Sequence, residues 1–200
     1  MCNHYQAHPQ AIADWAKWAG SRAVPRPEPA LDLWPKRPAT VARIDGGAKV
    51  LEAMTWGVPR TMPGKRPGTT ATKHVTNVRN LTSPFWKSML ADPERRCLVP
   101  FTRFAEPKPG KDADTGRPAE YWFNVVDRPV AAFAGLWRPS QAGRVFAFLT
   151  CAPNPLVAPF HPKAMPVVLS EDAYDSWLTG TFDAACAHAM PFPSQLMALV

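Results

Sequence analysis

Cys2 directly follows the initiator Met1, and this placement permits chemistry that an internal cysteine cannot perform. Removal of Met1 would leave one residue with both a free α-amino group and a thiol. The amine condenses with an aldehyde to an imine, and the thiolate then closes a five-membered thiazolidine ring. Both groups are usable near neutral pH, since an α-amino group titrates near ~7.7–8 and a thiol near ~8.5. Taken alone, a second-position cysteine is more often an incidental residue of a mobile terminus.

The composition predicts a single globular domain over residues 2–200. The chain of 200 residues is 46% hydrophobic and contains 8 Trp and 10 Phe, which is enough to bury a sizeable core. Its net charge of +7 is unevenly distributed: residues 1–118 carry 19 Lys and Arg against 10 Asp and Glu, and residues 119–200 carry 4 against 6. This asymmetry predicts that the first part of the chain presents a surface for a polyanion.

Several other classes of protein and site are not indicated. No segment is long and apolar enough to span a membrane, and the N-terminus lacks a signal-peptide pattern, which predicts a cytoplasmic protein. Free thiols are expected in that reducing compartment at Cys2, Cys97, Cys151 and Cys186. The pairs Cys2/His4 and Cys186/His188 do not have the spacing of a zinc site. Because a phosphate-binding glycine motif is also missing, neither a metal nor a cofactor is expected.

Short strands with helices at their flanks must position any site residues. Helical spacing of Ile12, Trp15 and Trp18 predicts a helix over residues 10–19 that ends at Gly20. Further helices are predicted over residues 81–90, 171–178 and 182–190. Strands are predicted over residues 40–45, 49–56, 96–100, 101–106, 120–126, 130–137 and 144–150, with a last strand over residues 167–169.

Proline and charge mark the segments between these elements. The 24 prolines cluster in residues 25–38, 59–67 and 100–118, which predicts loops there. Residues 60–73 are predicted to form a loop with four basic residues and no acid. Many short strands and few helices indicate an α+β fold, with a single domain around a curled, mostly antiparallel, barrel-like β-sheet and flanking short helices.

Four segments resemble the motifs of one protein family in their order and spacing. Met1-Cys2-Asn3-His4-Tyr5 resembles a Met-Cys-Gly-Arg-aromatic start, and residues 76–82 resemble an Asn-Ala-Arg-Ala-Glu-Thr segment. Residues 96–106 resemble Arg-Cys-Leu-[Ile/Val]-Pro followed by Phe-Tyr-Glu-Trp, and residues 131–137 and 154–167 resemble the family's C-terminal part. From Cys2 to about Trp177, the chain therefore resembles the SOS response-associated peptidase (SRAP) family.

This resemblance implies a sensor of abasic sites that acts in the DNA damage response. It implies that Cys2 traps the ring-opened deoxyribose aldehyde as a thiazolidine DNA–protein crosslink, with AP-lyase and reversal activities in addition. By position, it implies that Asn77 binds the sugar, that Glu106 and His161 transfer protons, and that Arg79 binds a backbone phosphate. The partner implied is single-stranded or junction DNA containing abasic sites, bound by a monomer that associates with the nucleoid when it is on DNA.

The chemistry of imine formation supports two of these assignments separately. A proton must leave the amine and another must reach the departing hydroxyl, and a His and a Glu beside the amino terminus can do both. Without the joint pattern, Glu106 would more often be a solvated carboxylate and His161 a hydrogen-bonded loop histidine. Arg79 would be an ordinary surface arginine and Asn77 a turn residue.

The chain departs from the family pattern at positions expected to contact DNA. Asn3-His4 replaces Gly-Arg, so His4 becomes a candidate for the phosphate contact of the missing arginine. Leu81 replaces a glutamate, and Pro107 replaces a tryptophan that would offer a stacking platform for a base. One extra residue separates His161 from the following Met-Pro pair, and Lys163 is a second candidate phosphate ligand.

Two other functions remain open from the sequence. The first is a thiol peptidase that uses Cys2, His161 and Glu106 and cleaves only its own Met1 in the most limited case. The second is a non-catalytic single-stranded nucleic-acid-binding domain in which Cys2 is incidental.

Overall fold

Short strands account for most of the regular structure in the computed structural model, which describes residues 2–18, 22–23 and 31–200. The strands of this part of the chain are β1 (His4–Gln6), β2 (Arg22–Ala23), β3 (Asp32–Leu33), β4 (Pro38–Asp45), β5 (Ala48–Trp56), β6 (Val58–Pro63), β7 (Thr70–Val75), β8 (Asn77–Val78), β9 (Arg96–Phe101), β10 (Arg103–Lys111), β11 (Pro118–Val125), β12 (Ala131–Ser140), β13 (Gly143–Cys151), β14 (Met165–Pro166), β15 (Val168–Leu169) and β16 (Met197–Leu199). The α-helices are α1 (Pro9–Trp18), α2 (Pro84–Ala91), α3 (Tyr174–Thr179) and α4 (Phe182–Ala187). Single 3₁₀ turns occupy Pro93–Arg95, Glu171–Ala173 and Ser194–Leu196.

Five of these strands close into a β-barrel. They follow the order β5-β4-β9-β12-β13, and each of these pairings is antiparallel. The ring closes because β13 also pairs with β5 in parallel, with Val145 opposite Thr55 and Phe146 opposite Trp56. Every residue of β9 and the first seven residues of β12 are buried, so both faces of these strands are covered. The predicted α+β class with a barrel-like, mostly antiparallel sheet is confirmed.

A second sheet, with the order β16-β11-β10-β1-β3, packs against the barrel. Tyr5 of β1 is fully buried, and its ring contacts Trp56, Phe133 and Phe148 at centroid distances of 5.2, 5.6 and 6.2 Å. Tight packing of aromatic rings contributes more than their buried area alone. The first strand of the chain is therefore anchored in the main core, and the residues just before it are held in place.

The predicted first helix is confirmed as α1, which buries Ile12, Trp15 and Ala16 on one side. The predicted end of this helix at Gly20 lies outside the described residues. The closing helices α3 and α4 are shorter than predicted, because a 3₁₀ turn replaces the start of the first and α4 ends at Ala187. Among the described residues, no helix combines the length and the hydrophobicity needed to cross a membrane.

The predicted hairpin of residues 40–56 is confirmed as the pair β4 and β5. These strands pair along their whole length, from Pro38 opposite Thr55 to Asp45 opposite Ala48. Gly46 and Gly47 form the turn with φ values of 56° and 80°. A side chain at such φ values would be strained, which explains why a glycine pair marks this turn in the sequence.

Three predictions about loops and strands were wrong. Residues 60–73 are not a loop throughout: residues 60–63 belong to β6 and residues 70–73 to β7, and only the turn between these paired strands is irregular. Proline also occurs inside strands, at Pro100 in β9 and at Pro107 and Pro109 in β10, so the third proline cluster is largely strand. The strand at 167–169 is not the last one, since β16 pairs with β11 at the end of the chain. Local composition missed these strands because their partners are distant or because proline lowers strand propensity.

Candidate functional site

The pairing of β1 with β10 brings Cys2 and Glu106 into one region. His4 lies opposite Ala105, and because the strands are antiparallel, the residues before His4 lie beside those that follow Ala105. Cys2 is 1% exposed and Glu106 is fully buried. The Cys2 thiol donates to the backbone oxygen of His4 at 3.4 Å. Burial raises the pKa of the Cys2 thiol, and the nearby charge of Glu106 raises it further.

Asn77 reaches the same region from β8, a short strand far from Cys2 in the sequence. It is buried at the start of β8, where it lies opposite Phe148 of β13. The indole N–H of Trp56 donates to the backbone oxygen of Thr76 at 3.0 Å, which holds the residue before it. The side-chain amide of Asn77 then donates to the backbone oxygen of Cys2 at 3.1 Å and to Thr76 Oγ1 at 2.8 Å.

His161 completes the cluster from the segment between β13 and β14. Asn154 orders this segment, since its Oδ1 accepts from the backbone N–H of Val157 at 3.0 Å and its amide donates to the backbone oxygen of Phe192 at 2.7 Å. Nδ1 of His161 donates to the backbone oxygen of Ala164 and lies 3.7 Å from Oε2 of Glu106. An Nδ1 proton directed at a carbonyl leaves Nε2 as the basic nitrogen of the neutral ring.

The cluster contains buried polar atoms whose hydrogen-bonding capacity is not used within the described chain. They are Oδ1 of Asn77 and both carboxyl oxygens of Glu106. Burying a polar group without a partner costs about 1–3 kcal/mol, so each such atom requires an explanation, and a ligand bound at the cluster would supply the missing partners. Burial also raises the pKa of Glu106 from an ordinary 4.5 to about 7. At neutral pH this carboxyl group can therefore both donate and accept a proton.

Arg79 and Lys163 lie at the surface of this region. Arg79 follows Asn77 by two residues and Lys163 follows His161 by two residues, and both are exposed. Neither forms an ion pair with a carboxylate in the part of the chain that the structure describes. Two cations are thus available to an anionic ligand that reaches the buried cluster. The described residues contain no group of three or more His, Cys, Asp or Glu that could hold a metal ion.

The structure gives His4 a role different from the predicted phosphate contact. Its Nε2 lies 2.8 Å from Oδ1 of Asp32 and its Nδ1 lies 2.8 Å from Oε2 of Glu120, and the residue is 6% exposed. Trp34 stacks on the ring at a centroid distance of 3.8 Å. Because carboxylates occupy both nitrogens, the ring has no donor left for a phosphate. His4 instead links β1 to β3 and β11, and so positions the strand that follows Cys2.

We expect His4→Ala to lower the free energy of unfolding by about 2–3 kcal/mol, because two carboxylates lose the hydrogen-bond partner between them and the stacking with Trp34 is lost. Urea denaturation measures this change. His8→Ala, at an exposed histidine, is the matched control and should leave the midpoint unchanged. If His4→Ala is as stable as the wild type and its DNA binding depends less on salt, His4 contacts a phosphate after all and the structural role assigned to it is wrong.

Sequence reasoning missed two residues that organise the site. The side chain of Asn154 accepts from the nearby backbone N–H of Val157 and donates to the backbone oxygen of Phe192 and to Sδ of Met197, which lie much later in the chain. Trp56 acts through its indole N–H on Thr76. Asn154 begins a segment that resembles the family's C-terminal part, and Trp56 lies at the end of a predicted strand, but neither signal specifies a hydrogen-bond partner.

The comparisons with known proteins place this geometry in a family. The family model described as SOS response associated peptidase (SRAP) matches residues 1–199. No curated protein matches the chain.

Three solved structures share the fold. A protein from Bordetella bronchiseptica has a TM-score of 0.73 at 23% identity, over 100% of this chain and 99% of that chain. A protein from Bacteroides thetaiotaomicron has a TM-score of 0.74 at 16% identity, over 99% of this chain and 90% of that chain. A phage-related protein from Bordetella bronchiseptica has a TM-score of 0.66 at 19% identity, over 100% and 92% of the two chains. At these identities the similarity establishes the fold alone.

The match to the family model extends over nearly the entire chain, and the matched range includes every residue of the buried cluster. The chain belongs to the SRAP family, and this membership associates it with the SOS response to DNA damage.

Proposed function

We propose that this protein captures abasic sites in single-stranded DNA as a covalent thiazolidine formed by Cys2 after removal of Met1. The observation that carries the proposal is the buried cluster around Cys2, in which Asn77 contacts the Cys2 backbone and the oxygens of Glu106 have no hydrogen-bond partner in the described chain. These polar atoms suit a ligand that brings hydroxyl groups and exchanges protons with the site.

The first step would join the Cys2 amine to the aldehyde carbon C1′ of the ring-opened sugar. The nitrogen lone pair forms the N–C1′ bond, and the carbonyl oxygen takes a proton to give a carbinolamine. Loss of one water then gives the imine. A single acid–base group with a pKa near 7 can remove the proton from nitrogen and supply one to the departing hydroxyl, and this fits Glu106.

The second step would add the Cys2 sulfur to the imine carbon. The S–C1′ bond forms, the C=N electron pair returns to nitrogen, and the thiol proton is transferred to that nitrogen. The ring closes without loss of further atoms, so the adduct is one water lighter than its reactants. Because burial keeps the Cys2 thiol protonated, a base must accept its proton during attack; ionised Glu106 would do so, with His161 beside it to share the proton transfer.

An AP-lyase activity would use the same imine. A base removes a proton from C2′, the C2′–C3′ double bond forms, and the 3′ phosphate leaves with the electrons of the C3′–O bond. Asn77, held beside Cys2, would orient the sugar hydroxyls through its unpartnered Oδ1. Reversal of the thiazolidine is the second step run backwards and needs the same proton transfers.

Arg79 and Lys163 would bind phosphates of the strand that enters the site. We expect Arg79→Gln to weaken binding of single-stranded DNA of any sequence and to reduce the slope of log affinity against log salt by about 0.7, the value for one phosphate contact on a single strand. Fluorescence anisotropy over a salt series measures the slope. Arg128→Gln removes a half-buried charge that pairs with Glu171 and serves as the control. An Arg79→Gln slope equal to that of the wild type would remove this residue from the phosphate contacts.

The direct test of the proposal mixes the mature protein with an oligonucleotide that carries one abasic site. The expected product is a heat-stable band on a denaturing gel, with an intact mass equal to protein plus DNA minus one water. A protein without Met1 that binds this DNA tightly and forms no such band would overturn the proposal.

The family description also names a peptidase, which is a second candidate function. A thiol peptidase needs a thiolate at rest, whereas burial raises the pKa of Cys2. Cleavage of peptide substrates that is abolished by Cys2→Ser, in a preparation that forms no DNA adduct, would favour this alternative. Salt-dependent DNA binding without either product would favour a non-catalytic binding domain.

A further inference from the structure

A basic hairpin made of β6, β7 and the turn between them extends from the barrel. Between Val58 and Val75 it contains Arg60, Lys65, Arg66 and Lys73 and no acidic residue. All four side chains belong to exposed residues. None forms an ion pair with a carboxylate within the described residues. The hairpin is therefore a concentration of unneutralised positive charge.

The charges of the basic hairpin are placed at a cost to its own stability. Arg60 lies directly opposite Lys73 in the register of the two strands. Like charges in this arrangement destabilise a sheet, and a two-stranded hairpin has little stability to spare. No carboxylate of the described residues pairs with Arg60 to offset this repulsion. The side chain instead packs over the ring of Phe85, with its guanidinium carbon 5.1 Å from the ring centroid. An anionic ligand would remove the repulsion, so the arrangement suits a bound state.

The end of the hairpin holds its two cations in a defined turn. The backbone N–H of Gly64 donates to the oxygen of Thr69 at 2.7 Å, and Thr69 donates through its backbone N–H and its hydroxyl to the oxygen of Arg66 at 3.1 and 2.7 Å. A Cβ at Gly64 would lie 2.2 Å from Thr69 Oγ1, so only glycine permits this closure. Lys65 and Arg66 are thus presented together on an ordered turn.

The basic hairpin continues directly into the candidate site. Thr76 alone separates the end of β7 from Asn77. At about 3.3 Å per residue, the six residues of β7 place the turn roughly 20 Å from Asn77. Stacked nucleotides advance about 3.4 Å along a strand, so this distance corresponds to about six nucleotides. Cations thus occur at intervals from Arg79 through Lys73 to the turn, a spacing that fits a linear polyanion and not a single small anion.

We propose that the basic hairpin binds the phosphate backbone of the DNA strand that flanks the lesion on one side, over about six nucleotides. This inference rests on the proposed DNA-binding function and adds a second contact region to it. The hairpin would raise affinity and set the length of strand required, and it would take no part in the chemistry at Cys2.

The test uses the double variant Lys65→Gln/Arg66→Gln, which changes only exposed side chains. The probe is single-stranded oligothymidylate of about 30 nucleotides, longer than the reach of the hairpin, with one central tetrahydrofuran analogue that has no aldehyde and cannot crosslink. We expect about tenfold weaker binding at about 50 mM salt and a salt slope reduced by about 1.4, from two phosphate contacts at about 0.7 each. Lys17→Gln/Arg128→Gln is the control, because it removes the same net charge from two paired residues elsewhere.

A probe shortened on one flank identifies the strand segment. The 5′ and 3′ flanks of the lesion are shortened in turn to about two nucleotides. Shortening the flank that the hairpin binds should weaken wild-type binding to the level of the double variant, and it should leave binding by the double variant unchanged. Equal affinity and slope in wild type and double variant, or equal losses in double variant and control, would overturn the inference.

Crosslinking is measured separately on DNA with a true abasic site at saturating concentration, where the double variant should react like the wild type. A protein that never crosslinks but shows the hairpin effect would overturn the proposed chemistry and leave this inference intact. A protein that crosslinks normally but shows no hairpin effect would overturn this inference and leave the proposed chemistry intact.

Discussion

The Cys2→Ser variant is expected to form no heat-stable adduct with abasic DNA. Serine keeps the α-amine and therefore still forms an imine, but its hydroxyl is a far weaker nucleophile than a thiol and does not close a persistent ring. The imine hydrolyses when the protein is denatured. Borohydride should therefore trap the serine variant on DNA by reducing the imine, whereas wild-type protein needs no reductant. A denaturing gel with and without borohydride shows both outcomes.

Cys186→Ser is the matched control for this variant, because Cys186 is a half-buried free cysteine in α4. It should form adduct at the wild-type rate. Intact-mass measurement of every preparation must show that Met1 has been removed, since the amide nitrogen of an internal Cys2 cannot form an imine. A wild-type level of heat-stable adduct from Cys2→Ser, or from protein that still carries Met1, would contradict the thiazolidine.

The Glu106→Gln variant is expected to crosslink about 10²–10⁴ times more slowly than the wild type and to bind DNA with unchanged affinity. Glutamine has nearly the same shape but can neither remove the proton from the amine or thiol nor supply one to the departing hydroxyl. Single-turnover crosslinking measures the rate, and anisotropy with the tetrahydrofuran probe measures the affinity. A loss of affinity that accounts for the loss of rate would assign Glu106 to binding instead of proton transfer.

The same variant should also change how stability depends on pH. In the folded protein burial raises the pKa of Glu106 to about 7, against an ordinary value of 4.5, so the folded state holds this proton more tightly than the unfolded state. Its contribution is present below pH 4.5 and is lost as the pH rises through 7. The free energy of unfolding of wild type relative to Glu106→Gln should therefore fall by about 3 kcal/mol between pH 4 and pH 8.

Urea denaturation at several pH values measures this difference. Glu94→Gln, which removes an exposed carboxyl group, is the control and should show little pH-dependent difference from wild type. A difference between wild type and Glu106→Gln that is independent of pH would mean that Glu106 has the same pKa in the folded and unfolded states and is ionised at neutral pH, and its proposed role as an acid near neutral pH would fail.

Much of the fold was predictable wherever neighbouring residues interact with one another. The helical spacing of Ile12 and Trp15 predicted α1, and the glycine pair at 46–47 between two apolar runs predicted the hairpin of β4 and β5. The β6 and β7 pair was not predictable from local composition, because its exposed strands carry prolines and cations in place of an apolar alternation. The parallel contact that closes the barrel joins residues about ninety positions apart, and no local pattern encodes it.

For the candidate site, the sequence motifs identified the site residues and the family of the chain. The three-dimensional structure showed how deeply each of these residues is buried and what it contacts. The structure brings Cys2, Asn77, Glu106 and His161 together, and their roles stay predictions. Whether Glu106 is a solvated or a buried carboxyl group depends on neighbours from β1 and from the segment before β14. The position of His4 in the family motif predicted a phosphate contact, but the residues that bind its ring could not be predicted from that position. Asp32 and Glu120, which contact the two ring nitrogens, are 28 and 116 residues away in the chain.

By itself, the sequence determined the residue types that can perform chemistry, the family, the fold class and the excess of positive charge in the first part of the chain. Only the tertiary structure decided which polar atoms are buried without partners, which histidine is held between carboxylates and which cations remain free to meet a ligand. The physical reason is that residue type and local spacing act over a few positions, whereas desolvation and electrostatic pairing depend on atoms brought together from distant parts of the chain.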